Sequence, residues 1–179
     1  MARLPYLRTG LLAAALLLAA CGQDSGGEVP AIGARLPRVA LAGLTGEAPT
    51  STDALRGTPL VINFWATWCL PCRDEMPALE RLSHRLATHG VRVIGIAVDN
   101  DRYLAAEFVR AHKLTFPIYA DGDGKQLQSL LHVKSLPETV LVSADGAIAA
   151  RIVGARDWNG ADGARLLERA FDVRLASAR

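Results

Sequence analysis

Leu60-Val61-Ile62-Asn63-Phe64-Trp65-Ala66-Thr67-Trp68-Cys69-Leu70-Pro71-Cys72 decides how the rest of this chain is read. The first six residues are apolar or β-branched with no clean alternation, apart from one asparagine. A strand apolar on both faces belongs in the middle of a covered sheet. At Cys69 the pattern changes. Met76, Leu79, Leu82 and Leu86 follow at near-helical spacing, with Glu80, Arg81, Arg85 and His89 between them. The spacing therefore predicts a strand that ends at a helix N-terminus, with Cys69 at the junction. Unpaired N–H groups and the helix dipole at such a place favour an anion. The thiolate is the reactive form of cysteine, and such sites lower its pKa. Cys72 lies one turn further in, near enough to close a disulfide with Cys69.

Outward from this junction, the C-terminal direction alternates strand and helix. Pro77 falls inside the first helical pattern and should kink it, and Gly90 suits its C-terminal cap. Val91–Val98 reads as a second buried strand. Asp99-Asn100-Asp101 can cap a helix carrying Leu104, Phe108 and Ala111 on one face. A short strand is expected at Phe116–Tyr119. Asp121-Gly122-Asp123-Gly124 then opens a short helix bearing Leu127, Leu130 and Leu131. Thr139–Val142 and Ala147–Val153 flank Ala144-Asp145-Gly146, a hairpin signal. A last helix runs from about Ala161 to Phe171, with Leu167, Ala170 and Phe171 inward. Early strands that alternate with helices pair in parallel, and the closing hairpin is antiparallel. The result is an α/β fold: a thioredoxin-like mixed central sheet flanked by helices, with an extra central βα insertion and an N-terminal extension.

Toward the N-terminus the composition shifts. Leu36–Leu44 is a weak strand pattern, and Gly43–Thr52 is rich in turn residues. Residues 21–35 carry Gly, Ser and Pro with few bulky side chains and read as a flexible tether. Residues 1–20 hold Arg3 and Arg8, then an uninterrupted Leu/Ala run from Leu11 to Ala20. That run is too short to span a bilayer and reads as the apolar region of a signal peptide. It ends in Leu18-Ala19-Ala20-Cys21-Gly22, which resembles a bacterial lipobox, where the leader is cut before a cysteine that is then lipidated. The three cysteines divide accordingly into one for lipid, Cys21, and two for redox. The folded domain is expected over 36–173.

The chain has 179 residues and a formal charge of +2. Removing 1–20 takes two of the 20 basic residues and none of the 18 acidic, leaving 18 of each. A net charge of zero offers no electrostatic reason to expect nucleic acid as a partner.

The chemistry follows from position. Cys69, at the helix start and more exposed, attacks a substrate disulfide. Cys72, deeper, resolves the mixed disulfide by attacking Cys69. Pro71 lacks an N–H where none is needed and stiffens the loop between the sulfurs. Cys72 must lose a proton, and burial makes that harder. Glu75 lies three residues on, on the same helical face, and a half-buried carboxylate there can take that proton. Trp68 shields the site, whereas Trp65 suits the core. Far along the chain, Leu136-Pro137-Glu138-Thr139 sets a proline at the start of a strand. A cis-proline there would fix an edge on which substrate backbone can pair.

The run Asn63 to Pro77, together with Leu136-Pro137-Glu138-Thr139 before a hairpin, resembles the active-site signature of the TlpA/ResA/DsbE-like thiol:disulfide oxidoreductases. The resemblance spans about Arg35 to Asp172. It implies a thioredoxin fold tethered on the outer side of a membrane, with Cys69 as nucleophile, Cys72 as resolver, Glu75 as buried acid/base and Pro137 as cis-proline. Ordinary thioredoxins have Asp at the position of Asn63, and its loss agrees with Glu75 taking the proton role. Leu70 departs from the residues more often found at that position, which tunes potential. The resemblance further implies exported protein thiols and disulfides as substrates, of the cytochrome c maturation or oxidase copper-site assembly type. It implies a membrane dithiol donor of the DsbD/CcdA type, and no cofactor. Gly22 rather than Asp after Cys21 points, in a two-membrane host, to the periplasmic face of the outer membrane.

Two rival readings compete. A peroxiredoxin-like peroxidase shares the fold and the Phe116-Pro117-Ile118 run, but needs a Thr three positions before its cysteine, where Ala66 stands. A copper-binding assembly chaperone could use two thiolates for Cu(I), but relatives of that kind add a histidine and wider cysteine spacing. His84, His89, His112 and His132 all lie outside the motif, and no metal site is expected. Asp121-Gly122-Asp123 hints at a calcium loop, but Lys125 and His132 occupy ligand positions, so it reads as a turn and cap.

Overall fold

The computed structural model describes residues 30–121 and 126–175. The leader, Cys21 and most of the expected tether lie outside these residues.

The first strands are short: β1 (Ala40–Gly43) and β2 (Thr50–Ser51) form a hairpin. β3 (Leu60–Trp65) is buried at every position. Next come α1 (Leu70–Ala87), β4 (Arg92–Ala97), α2 (Arg102–Ala111), β5 (Ile118–Ala120) and the single-turn α3 (Gln126–Leu130). β6 (Glu138–Val142), β7 (Ile148–Val153) and α4 (Ala161–Phe171) follow. The seven strands form one mixed sheet in the order β2-β1-β5-β4-β3-β6-β7. β3 pairs in parallel with β4 and antiparallel with β6, so it is central, as its unbroken apolar face pattern requires. β6 and β7 are the expected antiparallel hairpin, with Gly146 at φ +88 in the turn. This is the α/β thioredoxin-like fold with a mixed sheet flanked by helices.

α1 packs Met76, Leu79, Leu82 and Leu86 into the core without exposure. Each such side chain contributes about 1.5–3 kcal/mol of apolar burial. The helix continues through Pro77. It stops at Ala87, and Gly90, at φ +70, turns the chain back so that Val91 N–H reaches the carbonyl of Leu86 at 3.1 Å.

Three expectations are corrected. α2 buries Ala105, Ala106, Phe108 and Val109, while Leu104 is 54% exposed and Ala111 is exposed. Asp101 caps this helix, and the stripe that faces in is the one that sets Phe108 against Trp65, at 5.3 Å between ring centroids, which leaves Leu104 outward. In α3 only Leu127 and the following Leu131 point inward, four residues apart, and Leu130 faces solvent. The tether ends earlier than Arg35: Gly33 N–H donates to Ile148, Ile148 N–H donates to Ala34, and Arg35 bridges Ala147. The ordered domain thus includes the last residues assigned to the tether.

Candidate active site

β3 ends at Trp65, a fully buried core residue, and the chain turns with Cys69 N–H donating to Ala66 at 3.1 Å. Asp99, just beyond β4, fastens this turn: its carboxylate accepts from the Thr67 N–H and the Thr67 hydroxyl. Leu70 then begins α1, and Cys69 is its N-cap residue at φ −90 and ψ 100. Capping positions hold an acceptor for the free N–H groups of the first turn. Here that acceptor is sulfur, since Cys69 Sγ takes the Cys72 N–H at 3.3 Å. The same hydrogen bond and the helix dipole stabilise a thiolate at Cys69. Cys69 and Cys72 form a disulfide across a Cα–Cα distance of 5.3 Å. Pro71 sits in the first helical turn, where its missing N–H costs nothing. Cys69 retains 6% exposure and Cys72 none. Trp68 (67% exposed) and Leu70 (66% exposed) flank the sulfur as projecting apolar side chains, so Trp68 borders the site from solvent rather than covering it from within.

Glu75 shares the buried stripe of α1 with Cys72 and is 5% exposed. Its carboxylate is held from three directions. Asn63 Nδ2 donates to Oε1 at 2.8 Å, and the main-chain N–H of Arg156 donates to Oε2 at 3.2 Å. The fully buried Trp158 indole N–H also pulls on the carboxylate, without closing a hydrogen bond of regular geometry. Burial pushes the Glu75 pKa above the usual carboxylate value. The Asn63, Arg156 and Trp158 dipoles oppose that rise without cancelling it. Asn63 also donates to Thr139 Oγ1 at 3.0 Å, which ties β3, α1 and β6 together behind the dithiol.

Pro137 follows the partly buried Leu136 through a cis peptide bond. Its carbonyl accepts from Gly154 N–H at 2.8 Å, which fastens the end of β7 to it. Glu138, next along, is buried and ion-paired with Arg151, whose Nε lies 2.7 Å from Oε1. The sheet register sets Phe64, Glu138 and Val153 side by side, so the Pro137 loop lies at the same end of the sheet as the dithiol turn.

The parts played by Asp99, Arg156, Trp158 and the Glu138–Arg151 pair are not legible in the sequence. Asp99 groups with Asp101 as a helix cap, yet only Asp101 caps α2. One carboxylate too many for one cap is the available signal. Arg156 acts through its main chain, which no side-chain motif betrays. Trp158 stands out only as a large aromatic in a polar stretch. The Glu138–Arg151 pair joins residues across a hairpin, and neither side chain advertises it. Asp121 is a cap, as expected: its carboxylate accepts from Leu127 N–H at 2.8 Å and Gln128 N–H at 2.7 Å. Among the described residues no three His, Cys, Asp or Glu side chains gather as a metal site.

Comparison with known proteins agrees with this geometry. A family model described as Redoxin matches residues 31–167. A thiol-disulfide oxidoreductase ResA of Bacillus cereus is 32% identical over 123 residues, covering 69% of this chain and 70% of its own. ResA of Oceanobacillus iheyensis is 28% identical over 148 residues, covering 81% and 77%. Among solved structures, a secreted Mycobacterium tuberculosis disulfide oxidoreductase homologous to E. coli DsbE superposes with a TM-score of 0.56 at 31% identity, covering 64% of this chain and 81% of that one. A thiol:disulfide interchange protein DsbE from Chlorobium tepidum superposes with a TM-score of 0.71 over 78% of this chain and 97% of that one, and at 24% identity it speaks for the fold alone.

Proposed function

The chain belongs to the redoxin family and is a thiol:disulfide oxidoreductase of the ResA/DsbE-like kind, and from that premise we propose that it acts as an exported, membrane-tethered reductase of protein disulfides. The observation that carries the reading is the sulfur cap: Cys69 Sγ at the N-terminus of α1, with Cys72 buried one turn inside. In the reduced protein the Cys69 thiolate attacks one sulfur of a substrate disulfide. That S–S bond breaks, a mixed disulfide forms, and the first substrate thiolate leaves and takes a proton. Cys72 then passes its proton to the Glu75 carboxylate, and its thiolate attacks Cys69 Sγ. The second substrate thiolate departs, the substrate has gained two electrons, and the protein is left with its Cys69–Cys72 disulfide. Glu75 fits this task because burial holds its pKa up, which brings it nearer to that of a thiol. Pro137 presents the backbone edge against which the substrate chain lies.

A dithiol donor must restore the reduced state, and a membrane transporter of the DsbD/CcdA type is the proposed source. The Leu11–Ala20 run and Cys21-Gly22 support export and a lipid anchor on the periplasmic face. Apocytochrome c and oxidase copper-site proteins are the proposed substrate class. No helix among the described residues is long and apolar enough to cross a membrane.

Two measurements test the reading. Cys72→Ser should accumulate substrate proteins disulfide-bonded to Cys69, and their absence sinks the exchange mechanism. The equilibrium potential of the pair should lie below about −220 mV, toward the roughly −270 mV of thioredoxin. A value near the roughly −120 mV of DsbA would make the protein an oxidant and remove the reductase assignment.

A further inference from the structure

A cleft of about 410 Å³ opens between β7 and α4, and four arginines line it: Arg151, Arg156, Arg165 and Arg169. On α4, Asp162, Arg165 and Arg169 recur at intervals of three and four residues, so they form one stripe facing β7. The charges are unevenly matched. Arg165 pairs with Asp162, and Arg151 pairs with Glu138. Arg156 and Arg169 make no ion pair among the described residues. Arg151 is engaged by Glu138 and its Nη1 is shut off from solvent, so the unpaired charges at the cleft are those of Arg156 and Arg169. A planar guanidinium fork matches a carboxylate in two parallel hydrogen bonds, and several forks around one recess favour a chain of carboxylates.

The position of the cleft says whose carboxylates these are. β7 is the edge strand of the sheet. Residues 33–35 cover its start, but among the described residues nothing pairs with the outer edge of Arg151–Val153. That edge is open to an added strand. Val153 lies in register with Glu138 and Phe64, two strand spacings from the strand that leads to Cys69. Two spacings are about 10 Å. An extended chain crosses that distance in roughly three to four residues. Arg156 belongs to both places, because it lines the cleft and its main chain holds Glu75.

We propose that this cleft docks an acidic, extended segment of the substrate protein, a few residues from the cysteine under attack. The proposal rests on the exchange reading above and names what selects among its substrates. A protein segment suits the recess better than a membrane surface, because the arginines line a concavity beside the exchange end of the sheet.

The test uses two peptides, each carrying one cysteine as a mixed disulfide with a chromogenic thiol. One has a run of Asp and Glu beginning about four residues from the cysteine, and the other has Asn and Gln there. The purified protein, reduced, should consume the acidic peptide about 5- to 20-fold faster in kcat/KM at low salt, since steering charges act mainly on association. The advantage should collapse near 0.5 M salt, where screening is strong. It should collapse in Arg165→Gln/Arg169→Gln and return in part in Arg165→Lys/Arg169→Lys, which keeps the charge and loses the fork. Equal rates for the two peptides, or an advantage that survives Arg165→Gln/Arg169→Gln, overturn the proposal. A cysteine-free acidic peptide, followed by fluorescence anisotropy, reads the cleft without any chemistry. If neither disulfide is reduced, the exchange reading fails, and this binding still decides the cleft. Phosphatidylglycerol vesicles that sediment the protein but not the Arg165→Gln/Arg169→Gln form, with no preference between peptides, would replace the protein segment with a lipid surface.

Discussion

Replacing Glu75 by Gln removes the proposed base and keeps its volume. The surroundings can accept the amide. Both present partners of the carboxylate are donors, Asn63 Nδ2 and the Arg156 N–H. The introduced amide can keep its oxygen toward Asn63 Nδ2, so that bond and the Asn63–Thr139 tie persist, and only the Arg156 N–H loses its acceptor. The fold should therefore survive, and the loss should fall on resolution. Its size follows from the thiol. An unperturbed cysteine is about 3% thiolate at pH 7, and a buried one holds its proton more tightly. With no base to take the proton during attack, a fully buried Cys72 reacts only through that small fraction, which slows resolution by up to about 30-fold at pH 7. The gap should close by about tenfold per pH unit as hydroxide takes over, and vanish above the thiol pKa. Adding a chromogenic aromatic disulfide to the reduced protein separates the steps in stopped flow, because attack by Cys69 releases one coloured thiol and attack by Cys72 the second. The first phase should be unchanged by the substitution. A second phase within twofold of the unmodified protein at pH 7, or a gap constant between pH 6 and 9, refutes Glu75 as the base.

The same carboxylate sets a stability trend whose sign is fixed. Its folded pKa is raised, so its contribution is intact below the ordinary value of 4.5 and is lost as pH rises through the raised one. The melting temperature of Glu75→Gln relative to the unmodified protein should therefore rise between pH 4 and pH 7.5, and a flat difference would contradict the burial effect. Arg151→Met strands the buried Glu138 carboxylate and should cost about 3–5 kcal/mol in urea unfolding, with more than half recovered when Glu138→Gln is added. Asp99→Ala frees the Thr67 N–H and hydroxyl and should cost about 1–3 kcal/mol. Asp99→Asn should cost less, and in both the first stopped-flow phase should slow because the turn carrying Cys69 loosens. An unaltered first phase would reduce Asp99 to a purely structural role.

What can be read from the sequence is encoded by neighbours. The buried strand β3, the cysteine spacing and the α1 stripe rest on residues within one or two turns of each other, and the structure keeps them at the expected positions. Glycine and aspartate at the β6–β7 turn are equally local. The face of α2 is ambiguous in the sequence because Leu104 is as apolar as the residues that bury. Only tertiary packing decides which stripe faces in, and it selects the one that sets Phe108 against Trp65. The end of the tether is hidden because Ala31–Arg35 has no strand pattern of its own and is ordered by the β6–β7 hairpin, 110 positions later in the case of Arg35 and Asp145. Asp99 stands 32 positions from Thr67, Thr139 76 from Asn63, and Arg156 81 from Glu75. Hydrogen bonds of that separation leave no periodicity to detect.

This division has a mechanistic consequence. The cap on Cys69 Sγ, the proposed nucleophile, comes from its own helix, and Asp99 fastens the turn before it. The proposed base depends on tertiary packing, because Glu75 is held by β3 and by the loop before α4. That loop is seated by Trp158, fully buried, and by the close approach of Gly163 in α4. A Cβ at Gly163 would lie 2.6 Å from the Asp157 carbonyl oxygen and 2.9 Å from Trp158 Cα, so only glycine lets the helix and loop meet this closely. The packing of α4 therefore reaches the proton on Cys72 without passing through Cys69. Substitutions in 154–163 should tune resolution, whereas substitutions at Trp68 and Leu70, which project beside the sulfur, should tune attack. Arg156 is where the two half-reactions meet, because the same residue lines the proposed docking cleft and holds Glu75 through its main chain.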